Sequence, residues 1–304
     1  MHCTQCTLNI QLPSNALSYT YRYRLKAIES QFDQQVPSHL PFIIRLDGVS
    51  FSKFTKGINK PFDHRLVRSF QQTTEDLVAK FLPATGYCQS DEISLVFPSA
   101  FVNGDGATKK EHMYKGRSQK LTSVIASYAS VRFNYHLTQQ NWEGLPLKVQ
   151  QRMIGHEAYF DGRVIVFDST EEVADCIFWR SNCDGLRNAI SHIALHHFTA
   201  KELHGQSIVK QLENLHKIKG INVMQEYGLE TLFGTWFKKE QYEISIPPEH
   251  LKFKKRKSDE TTTMRTRVAK GSFNWADWSS SQRTEFILSK YWGDNLTFPP
   301  KTLT

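Results

Sequence analysis

Residues 88–97 read CQSDEISLVF, and the pattern of this stretch sets the architecture. The polar residues Ser90, Asp91 and Glu92 are followed by Ile93, Leu95 and Phe97 at every second position. Alternation with period two marks a strand with one apolar face, and a polar cluster in front of it marks a turn. Tyr87 and Cys88 enter the same turn from the other side. The whole stretch is therefore a β-hairpin.

Working outward, PFIIRLD at 41–47 reads as a short buried strand closed by the turn-forming pair Asp47-Gly48. Phe62, Leu66, Phe70, Leu77 and Phe81 recur at helical spacing and stop before Pro83. A polar Gly- and Lys-rich loop at 103–116 precedes a second helix with Leu121, Val124, Ile125, Tyr128 and Tyr135 on one side. FDGRVIVF at 160–167 is a further strand. Strand, helix, hairpin, helix, strand is a split βαβ order. It predicts an α+β, ferredoxin-like antiparallel sheet with helices packed on one face.

The chain up to about Lys219 reads as mainly helical, and strands are expected at 231–237 and 242–246, either closing the sheet or forming a ribbon. The expected organisation is an N-terminal tail (1–19), a catalytic domain with helical additions (20–248), and a basic, aromatic C-terminal extension (249–304). The seam lies near Pro247-Pro248, and the extension holds Trp275, Trp278 and Trp292.

The chain has 304 residues, 39% hydrophobic and 22% charged, enough to bury a substantial core. With no long apolar run, no membrane association is expected, and the cytoplasm is the expected compartment. The basic segment Tyr19–Lys26 keeps a mitochondrial address as the second expectation. Of five cysteines, Cys3 and Cys6 form a lone CxxC beside His2. A structural zinc site needs four ligands, so a tail is favoured over a zinc knuckle. The net charge of +8 concentrates in the run KFKKRK at 252–257, followed by Arg265, Arg267 and Lys270. Such a block either attracts a polyanion or is a solvated loop.

In a split βαβ sheet the strands ending at Asp47 and beginning after Asp91 lie side by side, so both acids project from one edge. Each alone is also an ordinary turn residue. Together they repel unless a cation neutralises them, and Mg²⁺ suits such ligands because it also binds substrate phosphates. A pair of Mg²⁺ ions would serve phosphoryl chemistry. Lys53, Lys60, Arg117 and Lys120 are candidate phosphate contacts, and the backbone amides of Gly48, Val49, Ser50 and Phe51 are a candidate phosphate cradle.

IRLDG (44–48), KPFD (60–63), QSDEISLVF (89–97), Arg117 with Lys120, FDGRVIVF (160–167), Phe178-Trp179 and RTR (265–267) occur in the order and spacing of one family. Over roughly residues 20–270 the chain resembles the tRNA(His) guanylyltransferases and their relatives. The resemblance implies a polymerase-palm fold and nucleotide addition to the 5′ end of tRNA or another structured RNA in the 3′-to-5′ direction. It implies activation of a 5′-monophosphate with ATP, then attack by the 3′-hydroxyl of GTP with loss of AMP, in a homotetramer built as a dimer of dimers. Carried over by motif, Asp47, Asp91 and the Gly48 carbonyl hold two Mg²⁺ ions, and Ser90 and Glu92 support catalysis beside them. Lys60, Lys120 and Arg117 contact phosphates, and Asp63 supports the nucleotide loop.

The chain departs from the family at several places. Residues 184–191 read DGLRNAIS where relatives carry His-Ile-Asn-Asn-Leu-Tyr-Asn, Phe62 replaces an Asn, Ser52 replaces a larger residue, and GLETLFG (228–234) stands where an RKG signature is expected. Template-dependent repair of other 5′-truncated RNAs is therefore a second reading. Two rival classes remain: a non-catalytic RNA-binding module built on residues 252–270, and a cyclase-type nucleotidyltransferase. A zinc site at His192 and His196 lacks the Glu of HExxH, and Cys88 is expected to be a small buried hydrophobe.

Overall fold

A computed structural model describes residues 15–100, 111–245 and 262–293. The basic run at 252–257, Cys3, Cys6 and Pro247-Pro248 lie outside the described residues. Six strands form one sheet in the order β4-β1-β3-β2-β5-β6. They are β1 (Phe42–Gly48), β2 (Thr85–Gln89), β3 (Glu92–Phe97), β4 (Phe160–Val166), β5 (Thr235–Ser245) and β6 (Thr262–Gly271). Every pairing is antiparallel. The first four strands have the split βαβ arrangement that the hairpin and its flanks predict.

The helices in chain order are α1 (Asn15–Glu29), α2 (Phe51–Phe54), α3 (His64–Phe81), α4 (Ser118–Thr138), α5 (Leu147–Ile154), α6 (Thr170–Phe178), α7 (Leu186–His197), α8 (Ala200–Leu203), α9 (Ile208–Lys219), α10 (Val223–Glu226) and α11 (Gly228–Phe233), with α12 (Ser280–Leu288) near the C-terminus. Helix α3 begins where the Asp63 side chain accepts from the Arg65 amide, and it ends at Leu82 in a left-handed conformation, just before Pro83. This is a side-chain N-cap followed by an αL stop.

Alternation in β1 and β3 divides the core. Phe42, Ile44, Leu46, Ile93 and Leu95 face α3 and α4 in one cluster that also holds Phe70, Phe133 and Phe160. Ile43 and Val96 point the other way, with Tyr87 and Trp236, into a second cluster. The opposite face is therefore not bare. Val173 and Ile177 of α6, Phe286 and Ile287 of α12, and Trp275 and Trp292 cover it. The aromatic C-terminal segment is thus core, and β6 brings the chain back into the sheet. A third cluster, built from Ile193, Leu215, Leu232 and Phe233, holds a helical lobe beside β2.

The strand expected at 231–237 needs correction. Residues up to Phe233 are helical, and Gly234 breaks the helix at φ 76°. A Cβ there would press on Tyr87 at 2.6 Å, so glycine is required both for its torsion and for its lack of a side chain. Thr235 to Phe237 then pair with β2, and the rest of β5 continues with β6 as a two-stranded ribbon.

Lys238 is fully buried on the α12 side. Its Nζ donates to the carbonyls of Ala84 (3.0 Å), Phe286 (2.6 Å) and Ser289 (2.6 Å) and to Thr85 Oγ1 (2.7 Å). It therefore clamps the end of α12 to the sheet. Burial pushes its proton affinity well below the lysine range. Between the two pKa values the unfolded chain binds the proton more readily, so this group makes stability climb as pH rises towards the ordinary lysine value of 10.5. Lys238→Met is expected to cost about 2–4 kcal/mol in a denaturant titration and to remove that rise, because it strands three carbonyls and a hydroxyl without a donor.

Candidate active site

The hairpin turn closes on the end of β1. In the ladders, Asp47 stands opposite Glu92 of β3 and opposite Asp161 of β4. The Gly48 amide donates to the Asp91 carbonyl at 3.0 Å, locking the Ser90-Asp91 turn to the strand end. Ser90 takes φ 56°, and its Oγ donates to Asp91 Oδ1 at 3.1 Å. Gly48 has no room for a side chain, since a Cβ would collide with the Phe51 ring.

Burial holds the Asp47 carboxyl above the usual carboxylate range, with the charges of Asp91 and Asp161 adding to the shift and those of Arg163 and Arg45 opposing it. The Asp47 and Asp91 charges thus act on each other. The donor set is hard carboxylate oxygen, only partly offset by the Arg45 and Arg163 charges, which is the chemistry that suits Mg²⁺. Among the described residues no group of three or more His, Cys, Asp and Glu is placed to hold a metal.

Glu92 is spoken for by protein cations. Arg180 Nε donates to Oε1 at 2.9 Å, a second Arg180 nitrogen pairs with Oε2, and Arg45 lies 3.8 Å from Oε2. Arg180 also reaches Asp184 at 3.3 Å, which pairs in turn with Arg187. Arg180 and Asp184 sit on a π-helical stretch, Trp179–Gly185, that joins α6 to α7. Such widened turns frequently mark functional sites. Gly185 packs so closely that a Cβ would collide with the Gln89 side chain.

A cavity of about 250 Å³ opens beside the turn, lined by Asp47, Asp91, Glu92, Arg180, Asn188 and His192 among others. Partial desolvation and the nearby Lys60 charge lower the proton affinity of His192, against the pull of Asp91. Lys60 does not line the cavity, but its charge reaches His192, which does. Asp63 is buried, and both its oxygens bond Arg65 while Oδ2 also accepts from the Asn59 amide at 3.2 Å. Burial alone would raise its pKa, but these hydrogen bonds hold it below the usual range. Its carboxylate shapes the loop before α3.

Two of the four cradle amides are already used: Gly48 on the Asp91 carbonyl, and Val49 on the Tyr159 carbonyl at 3.0 Å. Ser50 is left-handed at φ 57°, and Phe51 is a buried anchor. Arg117 and Lys120 do not line the cavity. They lie at the start of α4, where Arg117 pairs with Asp33 at 3.8 Å and Lys120 covers the Tyr114 ring. Cys88 is buried and its thiol is pushed up to about 12 by that burial, so it is no nucleophile. Sequence reasoning missed Arg180, Arg45 and Asp161. Asp161 becomes visible only once the register of β4 against β1 is known, and Arg180 follows the quoted Phe178-Trp179 pair.

The family model described as tRNAHis guanylyltransferase (Thg1) matches residues 22–168. A mimivirus protein named "Uncharacterized protein R259", from Acanthamoeba polyphaga mimivirus, is 34% identical over 71% of this chain and 78% of its own length. A solved bacterial tRNA(His) guanylyltransferase (Thg1)-like protein in complex with ATP matches with TM-score 0.60 and 30% identity, over 71% of this chain and 87% of that one. A second, in complex with GTP, matches with TM-score 0.60 and 25% identity, over 88% and 98%. The chain spans under half the length of the curated tRNA(His) guanylyltransferases that it matches, 46% of the Drosophila melanogaster protein at 28% identity.

Because the folded pKa of Asp47 is raised, stability without divalent cations falls as pH climbs from the ordinary value of 3.8 through the folded value. Asp47→Asn is expected to raise the metal-free melting midpoint at pH 7 by roughly 1–3 °C. Added Mg²⁺ is expected to raise the midpoint of the unmodified chain more than that of the variant. Thermal melts with Mg²⁺ and with a chelator check both.

Proposed function

This chain belongs to the tRNA(His) guanylyltransferase family, and on that premise we propose that it adds nucleotides to the 5′ end of an RNA, building in the 3′-to-5′ direction. The carrying observation is the meeting of Asp47 and Asp91 at one lip of the sheet, where the Gly48 amide ties the turn to the strand. The substrates are a nucleoside triphosphate, GTP first and ATP for activation, and tRNA or another structured RNA.

On this reading Asp47, Asp91 and the Gly48 carbonyl would hold two Mg²⁺ ions. When bound, these supply charge neutralisation at the phosphoryl oxygens and activation of the attacking hydroxyl. The chain's own groups do the rest. Arg180 and Arg45 engage the Glu92 carboxylate, which fixes the first residue of β3 and with it the turn that presents Asp91. Lys60 supplies a phosphate-side cation near His192. Ser90 orients one oxygen of Asp91 through its hydroxyl.

Arg117 and Lys120 stand off the cavity within one chain, which supports an assembly where a neighbouring copy brings them to the triphosphate. We take that assembly to be the homotetramer of the family, and exposed Tyr21, Leu25, Ile28 and Phe32 on and just after α1 are surface for such contacts. Among the described residues no helix is long and apolar enough to cross a membrane, and we place the reaction in the cytoplasm. Repair of 5′-truncated RNAs other than tRNA(His) is favoured by one observation. The π-helical stretch brings Gly185 against Gln89, in the segment where the family resemblance leads one to expect a His or its neighbour.

The test mixes labelled GTP, Mg²⁺ and a 5′-truncated structured RNA, and sequences the RNA 5′ ends. Addition is expected from triphosphorylated ends with GTP alone and from monophosphorylated ends once ATP is also supplied. Asp91→Asn is expected to reduce it by roughly 10²–10³-fold or more while leaving the circular dichroism unchanged. A variant with near-normal rate would exclude the two-acid assignment. An RNA that shifts in a gel without gaining nucleotides would favour a binding module, and nucleotide turnover without RNA would favour a cyclase.

A further inference from the structure

The cavity that Asp47 and Asp91 line also carries side chains of a different kind. Phe62, Val67 and Phe70 supply an apolar wall, and buried Gln71 and Thr235 bond each other at 3.0 Å beneath it. Both polar groups of that floor are therefore satisfied. Exposed Asn188, His192 and Glu230 also line it, and among the described residues none of their three side chains makes a hydrogen bond or ion pair within the protein. The Phe62 and His192 rings are 6.3 Å apart at their centroids. An apolar slot beside a phosphate-binding lip, rimmed by unpaired polar side chains, is the form of a flat heteroaromatic ring site.

We propose that this slot receives the base of the nucleoside triphosphate and that Glu230 selects guanine. The proposal rests on the nucleotidyltransferase reading above. An ionised carboxylate only accepts hydrogen bonds. Guanine offers two adjacent donors, N1–H and the N2 amino group, on one edge, whereas adenine presents an acceptor beside a donor on the equivalent edge. A carboxylate at the rim therefore pairs with guanine and repels adenine N1. Asn188 can serve either base through its amide, and neutral His192 can donate one bond and accept another. Phe62 stands where relatives carry Asn, and it supplies the apolar face against which a base packs. Glu230 lies in the GLETLFG segment that departs from the family signature.

The test measures displacement of a fluorescent N-methylanthraniloyl-GTP by GTP, ITP and ATP from the full chain with Mg²⁺. The unmodified protein is expected to bind GTP at least about tenfold more tightly than ATP, with ITP, which lacks the N2 amino group, between them. Glu230→Gln is expected to bring the GTP-to-ATP ratio to within about threefold by weakening GTP. Phe62→Ala is expected to weaken all three nucleotides together and leave the ratio intact. An unchanged ratio in Glu230→Gln, or unchanged affinities in Phe62→Ala, would overturn the proposal. The two readings separate cleanly. A chain that extends RNA with a base preference indifferent to Glu230 keeps its activity and loses this pocket. One that selects guanine through Glu230 and extends no RNA keeps the pocket and loses the activity.

Discussion

Electrostatic repulsion among acids at one sheet edge is the constraint on which the remaining structure turns. Antiparallel pairing of β1 with both neighbours puts Asp47 between Glu92 and Asp161, and the hairpin turn adds Asp91. Nothing in folding rewards that placement. Burial and like charge both raise the Asp47 pKa, which is a cost at neutral pH. On the proposed reading, that cost is what a cation and phosphate site requires, and the surrounding architecture serves to hold it.

The supports are of two kinds. Local ones act through Arg180 and Arg45, whose guanidinium groups engage Glu92 and leave it no freedom to swing towards a metal. Arg180 is delivered by the π-helical stretch between α6 and α7, and Gly185 lets that stretch lie against Gln89. Gln89 in turn accepts from the Tyr87 hydroxyl at 2.6 Å and donates to the Leu232 carbonyl at 2.8 Å, which joins the hairpin to the helical lobe. The wider support is the second core, where buried Lys238 fastens α12 to the back of the sheet. Mouth, wall and rim of the cavity thus come from three separate packing units.

Much of this was legible in the sequence because it is written in local periodicity. The alternation of Ile93, Leu95 and Phe97, the helical spacing from Phe62 to Phe81 and the run FDGRVIVF are short-range signals, and all three elements are present. The edge on which Asp47 and Asp91 meet followed from the order of those elements. What stayed hidden depends on long-range register or on burial. Asp161 faces Asp47 only through the β1–β4 ladder, and Lys238 looks like a surface cation until the carbonyls of α12 surround it. The π-helical stretch has no periodic signature. Gly234 carried a turn signal, but the apolar residues around it obscured the end of α11, so a strand was expected there instead.

Anomalous diffraction from crystals soaked with Mn²⁺ and a non-hydrolysable GTP analogue tests the central claim most directly. Two peaks bonded to carboxylate oxygens of Asp47 and Asp91 and to the nucleotide phosphates are predicted. Phosphates bound with Mn²⁺ elsewhere, or Asp47 turned away from both ions, would contradict it.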